Sequence, residues 1–243
     1  MFFTIVEVEP IKTNRMILVS LKNVSKDYPM GEISVEALKN VDLEIGAQSF
    51  VSFVGPSGSG KTTLLNLIGC IDKPTAGEVF VNKTPVNHFT SKEAARFRGR
   101  NLGFIFQNFN LLSVLTAYEN VEYPLIMVQY LPAEKRKEKV LYYLDAVGMM
   151  DQKDKYPSQL SGGQKQRIAV ARALVTDPRL VLADEPTANL DHASAFNVIK
   201  LMRKMQHDLK TTFIFSTHDP KIVKEAEIVY SLEDGKIINK QVN

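Results

Sequence analysis

The sequence predicts an α/β fold with a mostly parallel core sheet, an antiparallel β subsheet on the N-terminal side, and a helical subdomain inserted into the core. Three observations carry this. Short apolar runs bounded by Gly, Asp or charge alternate with helical patterns, the order expected where helices cover a parallel sheet. One such run opens into a glycine-rich loop that leads straight into a helical pattern. Residues from about 88 to 175 hold ample helical periodicity and few strand-like runs. The 243 residues suffice for one substantial core, and 44% hydrophobic with 23% charged residues is an ordinary globular composition. Thirty Lys+Arg against 27 Asp+Glu, a formal charge of +3, is too near balance to make nucleic acid the main partner.

Taken in order, the opening "MFFTIVEVEP" is apolar but short, carries Glu7 and Glu9, and lacks a basic segment, so it is a poor signal peptide. No apolar run approaches the ~20 residues needed to cross a bilayer. The fold is expected to begin near "MILVSLKNVSKDY", which makes residues 1–15 an extension and Met16 a candidate start. Residues 16–50 alternate as an antiparallel subsheet does ("ILVSLKNVSKDY", "ALKNVDLEI"). "SFVSFVG" (49–55) reads as a buried strand and "KTTLLNLIGCI" (61–71) as a helix. The helix holds the single cysteine, Cys70, read as a buried structural thiol; one cysteine excludes an intrachain disulfide and fits a reducing compartment. "SKEAARFRGR", "LTAYENVEYPL" and "PAEKRKEKVLYYLDAVGM" make up the helical insertion, which closes with "GQKQRIAVARALV" (163–175). "RLVLAD" (179–184), "TTFIFST" (211–217) and "EIVYSLEDGKI" (227–237) read as further strands, with a helix at "ASAFNVIKLMRKMQ" (193–206). There is no internal repeat, low-complexity tract or heptad run.

"GPSGSGKT" (55–62) fits G-x-x-x-x-G-K-[ST] in a strand–loop–helix setting. Gly55, Pro56, Ser57, Gly58, Ser59 and Gly60 form a loop whose backbone N–H groups can curl around a polyphosphate, with the positive end of the following helix behind them. Lys61 adds a cation for the outer phosphates, the Thr62 hydroxyl can ligate Mg²⁺, and Thr63 is a further cofactor-binding residue. A second acidic element is expected to serve the metal and the attacking water. "RLVLADEP" (179–186) supplies it, with Asp184 suited to Mg²⁺ and Glu185 to a general base.

The run "LSGGQKQR" (160–167) puts two glycines, costly inside a helix, at a helix doorstep, where the backbone is expected to approach something closely. With the phosphate loop and acidic pair, this run makes the chain resemble the ATP-binding cassette (ABC) ATPases over about residues 17–238. "GCIDKPTAGEV", "GFIFQNFNLL", "LTAYENVEYPL" and "LADEPTANLD" look like the LolD/MacB-like branch of lipoprotein release and macrolide export. Lys165 and Ala188 depart from the commoner Gln and Gly of the family without removing a catalytic group.

The resemblance implies ATP and Mg²⁺ as ligands. It implies that Ser161, Gly162, Gly163 and Gln164 cap the γ-phosphate of ATP held by a second copy of the chain. It makes Gln107 a sensor of metal and water, His218 a γ-phosphate contact that orients Glu185, Asp191 a residue of the loop that crosses the dimer interface, and Tyr28 the ring that stacks on adenine. It implies a head-to-tail dimer on the cytoplasmic face of a membrane, driving a separate transmembrane permease for export or extraction. A small kinase or GTPase shares the phosphate loop but has no use for LSGGQ. The other alternative is a non-transport member, linked to cell division or nucleic acid. DNA-repair members carry long coiled coils between loop and signature, where this chain has about a hundred residues without heptads. Only 25 residues follow His218, which leans towards export over importers with a C-terminal regulatory domain.

Overall fold

A computed structural model of the chain describes residues 15–31 and 33–243. The expected extension and the choice between Met1 and Met16 fall outside the described residues, apart from Arg15, which donates to the Gln48 carbonyl at 3.2 Å and faces Glu227 at 3.3 Å. Strands β1 (Ile17–Met30) and β2 (Ile33–Gly46) pair antiparallel, as their alternation predicts. Strand β3 (Phe50–Val54) follows and leads through the glycine-rich loop into helix α1 (Lys61–Ile68). The chain then returns as β4 (Ala76–Val81) and the short β5 (Thr84–Pro85), which extend the first sheet in the order β2-β1-β4-β5. The sequence pattern predicts no strand at β4.

Helix α2 (Ser91–Asn101) runs directly into β6 (Leu102–Ile105), and α3 (Ala117–Pro124) continues into one π-turn, Leu125–Gln129. Next come α4 (Ala133–Ala146), α5 (Gly162–Leu174), β7 (Leu180–Ala183), α6 (His192–Leu209) and β8 (Thr212–Ser216). The chain ends with α7 (Pro220–Val223), β9 (Ile228–Glu233) and β10 (Lys236–Val242). The expected single strand at 227–237 is therefore a hairpin, turned at Asp234 and Gly235, both with positive φ (46° and 78°). The second sheet has the order β10-β9-β3-β8-β7-β6, parallel from β9 to β6. The span 88–175 is mainly helical but not wholly so, because β6 belongs to the edge of this core sheet.

Strand periodicity divides the interior into two cores. Phe50, Val181, Ala183, Phe213 and Phe215 face one way, with the buried faces of α5 and α6. Val51, Phe53, Leu180, Leu182 and Ile214 face the other way, with α1 and the antiparallel sheet. Phe50 packs on Phe215 and Phe213 at ring-centroid distances of 5.0 and 5.9 Å, which fixes β3 against β8. The insertion is tied down by Asp177, which pairs with Lys139 of α4 and accepts a 2.5 Å hydrogen bond from Tyr143.

Candidate functional site

Parallel strands deliver their C-terminal ends to one edge of the core sheet, and three of those ends carry the predicted chemistry. From β3 comes the loop 55–60. Gly60 opens α1 at φ +102°, and a Cβ there would stand 2.7 Å from the Ala37 carbonyl oxygen, so no side chain fits. Pro56, Ser57 and Gly58 are exposed, while Ser59 is buried and its Oγ has no hydrogen-bond partner among the described residues. Lys61 is only 7% exposed and folds back to donate to the carbonyls of Gly55 (2.9 Å) and Pro56 (2.8 Å). An orphaned buried hydroxyl, a buried ammonium and a helix start converging on one loop fit a polyphosphate.

From β7 come Asp184 and Glu185. The Thr62 hydroxyl reaches both Asp184 oxygens, at 2.9 and 3.1 Å, a set of hard oxygen donors that suits Mg²⁺. Glu185 sits at φ +42°, a conformation that costs a non-glycine residue about 1–2 kcal/mol. Its N–H donates to Ser216 Oγ at 2.8 Å, and that hydroxyl donates in turn to Asp184 Oδ1 at 2.7 Å. Nothing in the sequence pattern singles out Ser216, at the end of β8. His218, two residues further on, is exposed, and its Nδ1 stands 3.3 Å from Glu185 Oε2.

Tyr28, half-buried on β1, donates its hydroxyl to Asp72 Oδ2 at 2.8 Å. Burial and then Asp72 raise the phenol's pKa, against a smaller opposing hydrogen bond with Thr63. Burial alone would raise the Asp72 carboxyl, but hydrogen bonds from Lys26, Tyr28 and the Lys73 N–H prevail and hold it below its ordinary value.

A second group of predicted residues lies elsewhere. Ser161 caps α5 by accepting the Gln164 N–H at 3.3 Å, while Gln164 Oε1 accepts the Ser161 N–H at 2.9 Å. A Cβ on Gly162 would come within 3.2 Å of Leu190, and one on Gly163 within 3.2 Å of the Ser194 hydroxyl. The paired glycines thus let α5 begin tight against the loop before α6 and the first turn of that helix, a close approach within the chain itself. Asp191 caps α6 through the Ser194 N–H at 3.0 Å, and its hydrogen bonds with Ser194 lower its pKa. Ser161, Gly163 and Gln164 line a cavity of about 300 Å³ with Asp151, Arg167 and Ser194. Glu185 and His218 line a different one of about 220 Å³. No hydrogen bond joins Ser161–Gln164 to the phosphate loop among the described residues.

Gln107 lies beside the loop before α6. It is exposed, two residues beyond β6, and its carbonyl accepts from Asn189 Nδ2 at 3.1 Å. Asn189 also donates to Asn108 Oδ1 at 2.8 Å, so it joins the loop after β6 to the loop before α6. Sequence alone gives this residue no role, although it begins the "NLD" run that contains Asp191.

The chain is similar to known proteins along nearly its whole length. The family profile described as "ABC transporter" matches residues 38–188. An uncharacterized ABC transporter ATP-binding protein of Methanocaldococcus jannaschii, MJ0796, is 43% identical over 224 residues, 90% of this chain and 95% of that protein. The macrolide export ATP-binding/permease protein MacB of Salmonella typhi is 44% identical over 222 residues, 91% of this chain but 34% of its own length. Among solved structures, the dimeric post-hydrolysis state of the MJ0796 cassette bound to ADP and Pi superposes with a TM-score of 0.85 at 42% identity. That alignment covers 93% of this chain and 98% of the other.

Proposed function

The chain belongs to the ABC transporter family as an ATP-binding, ATP-hydrolysing cassette, and from that premise we propose that two copies enclose two ATP molecules head to tail to drive a membrane-spanning permease. One observation carries the reading. The phosphate loop, Asp184, Glu185 and His218 converge, while Ser161–Gln164 sit apart on the outer end of α5. A site split in this way is completed by the facing segment of a second copy, in a closed two-fold arrangement. The dimeric, ADP- and Pi-bound structure of a similar cassette supports the pairing of two copies.

Within each site the loop 55–60 and Lys61 hold the phosphates. Mg²⁺, when bound, would be held by Thr62 and Asp184, with Gln107 as the family's sensor of the metal, and would neutralise charge on the outer phosphates. Glu185 takes a proton from the attacking water, and His218 keeps its carboxylate in place. Ser161, Gly162, Gly163 and Gln164 add N–H and hydroxyl donors from the partner copy, and Asp191 lies at the seam. Loss of the γ-phosphate removes the bridge between copies, so hydrolysis and opening coincide.

No helix among the described residues is long and apolar enough to cross a membrane, and in this reading the spanning part is a second polypeptide. Its seat is a groove of about 220 Å³ lined by Gly99, Phe104, Phe106, Val128 and Arg172. Exposed Tyr123, Ile126, Met127 and Tyr130 flank it. In this reading the cassette sits peripherally on the cytoplasmic face and serves export or extraction of a lipoprotein, macrolide or peptide, a branch that the similarity to MacB supports.

The test is Glu185→Gln. Phosphate release is expected to fall by roughly 10²–10⁴-fold, the usual worth of a general base. With saturating Mg-ATP the variant is expected to elute as a dimer, and a strictly monomeric elution would count against the reading.

A further inference from the structure

The Tyr28 ring is gripped by two residues to which the family resemblance assigns no role, Lys26 and Asp72, the latter inside the run "GCIDKPTAGEV". Its hydroxyl donates to Asp72 Oδ2 at 2.8 Å. The other carboxylate oxygen, Oδ1, accepts from Lys26 Nζ at 2.8 Å. Lys26 and Tyr28 are two residues apart on β1 and so project to the same side of the strand. The Lys26 ammonium stands 4.8 Å from the Tyr28 ring centroid, over one face, and is fixed further by the Lys73 carbonyl at 2.8 Å. The lysine side chain is only 12% exposed, so this cation is largely shielded from solvent and held by its partners.

Asp72 is itself bound to the phosphate-binding helix. Beyond the end of α1 the chain folds back, and the N–H groups of Ile71 and Asp72 both reach the Asn66 carbonyl, at 2.9 and 3.3 Å. The carboxylate therefore moves with α1, which carries Lys61 and Thr62 at its other end.

We propose that Asp72, together with Lys26, is a positioning residue for nucleobase binding. It fastens the Tyr28 ring to the helix that holds the phosphates, and it closes one ring face with a cation so that the base stacks on the other. The proposal rests on the reading of Tyr28 as the adenine-stacking ring. The physical gain is preorganisation: the separation between ring and phosphate loop is set before ATP arrives, so less ordering is left for the binding step.

The test compares the binding of Mg-ATP with that of Mg-tripolyphosphate, which has no base, to the full chain by titration calorimetry. Tyr28→Ala is expected to weaken ATP about tenfold, the worth of one aromatic stack, with little effect on tripolyphosphate. Asp72→Ala and Tyr28→Phe are each expected to weaken ATP about fivefold, the worth of one hydrogen bond, again sparing tripolyphosphate. Asp72→Asn, which keeps an acceptor, is expected to recover most of that loss. Asp72→Ala added to Tyr28→Ala is expected to cost nothing more, because the two act through one contact.

If Tyr28→Ala leaves the ratio of the two affinities unchanged, the ring is not the base platform and the underlying reading fails. If Tyr28→Ala lowers the ratio but Asp72→Ala does not, the inference alone is overturned. It is overturned equally if the Asp72→Ala loss persists in the Tyr28→Ala background or extends to tripolyphosphate.

Discussion

At the scale of single residues, the hydroxyl of Ser216 holds the two acidic groups in register. It gives its proton to Asp184 and takes the N–H of Glu185, and it is fully buried. That N–H bond is one restraint keeping Glu185 at a positive φ that its side chain disfavours. Replacing Ser216 with alanine leaves a buried N–H and a carboxylate oxygen each short of a partner, a penalty of about 1–2 kcal/mol borne at the reacting centre. Ser216→Ala is accordingly expected to lower kcat about tenfold with KM changed by less than about threefold, as read from steady-state phosphate release. A variant with the parent's kcat would show that Glu185 is held by other contacts. Glycines, Lys61, Thr62 and the Asp184–Glu185 pair were legible because their chemistry is written in consecutive residues. Ser216 was not, since only the parallel register that sets Ala183 beside Phe215 brings it to Asp184. Asp72 and Lys26 were hidden for the same reason, 46 positions apart in the chain.

At the scale of elements, the core-sheet strands read correctly were those buried on both faces, such as Phe50–Val54, Leu180–Ala183 and Thr212–Ser216, while the antiparallel pair was legible from its alternation. Strand β4 escaped because "AGEVFV" starts exposed and buries only Val79 and Val81. Strand β6 escaped because "LGFI" is four residues long and follows a helix without a break. The shortness of β6 conceals its importance, since the signature-bearing helix α5 lies directly on it. A Cβ at Gly103 would stand 2.3 Å from the Ala173 carbonyl oxygen, so the strand and the helix backbone meet with no side chain between them. Neither backbone can yield locally, because β6 is hydrogen-bonded to β7 and α5 is buried along one face. Gly103→Ala therefore displaces α5 from the sheet at a cost of about 2 kcal/mol. For a chain of this size that corresponds to a melting temperature lower by roughly 4–8 °C, to be read by calorimetry. An unchanged melting temperature would mean that α5 and β6 separate freely.

At the scale of the whole molecule, the two groups of site residues are each well supported, and neither completes the other within one chain. The phosphate loop hangs between β3, which faces both cores, and α1, which is packed in one of them, whereas the start of α5 is braced by the loop before α6 and the first turn of that helix and leaves Ser161 exposed. The second group can thus be altered without touching the first. Ser161→Arg removes a helix cap, at about 1 kcal/mol, and sets a long cation on the surface offered to a partner. Total stabilities of about 5–15 kcal/mol tolerate that loss, so the monomer is expected to fold and to bind ATP with an affinity within about twofold of the parent. Placed in the Glu185→Gln background with saturating Mg-ATP, the same change is expected to abolish the dimer peak in size-exclusion chromatography, because the arginine occupies the room of the facing phosphate. Loss of ATP binding by the isolated monomer would instead mean that Ser161 serves the nucleotide of its own chain, and the division of labour between two copies would fall with it.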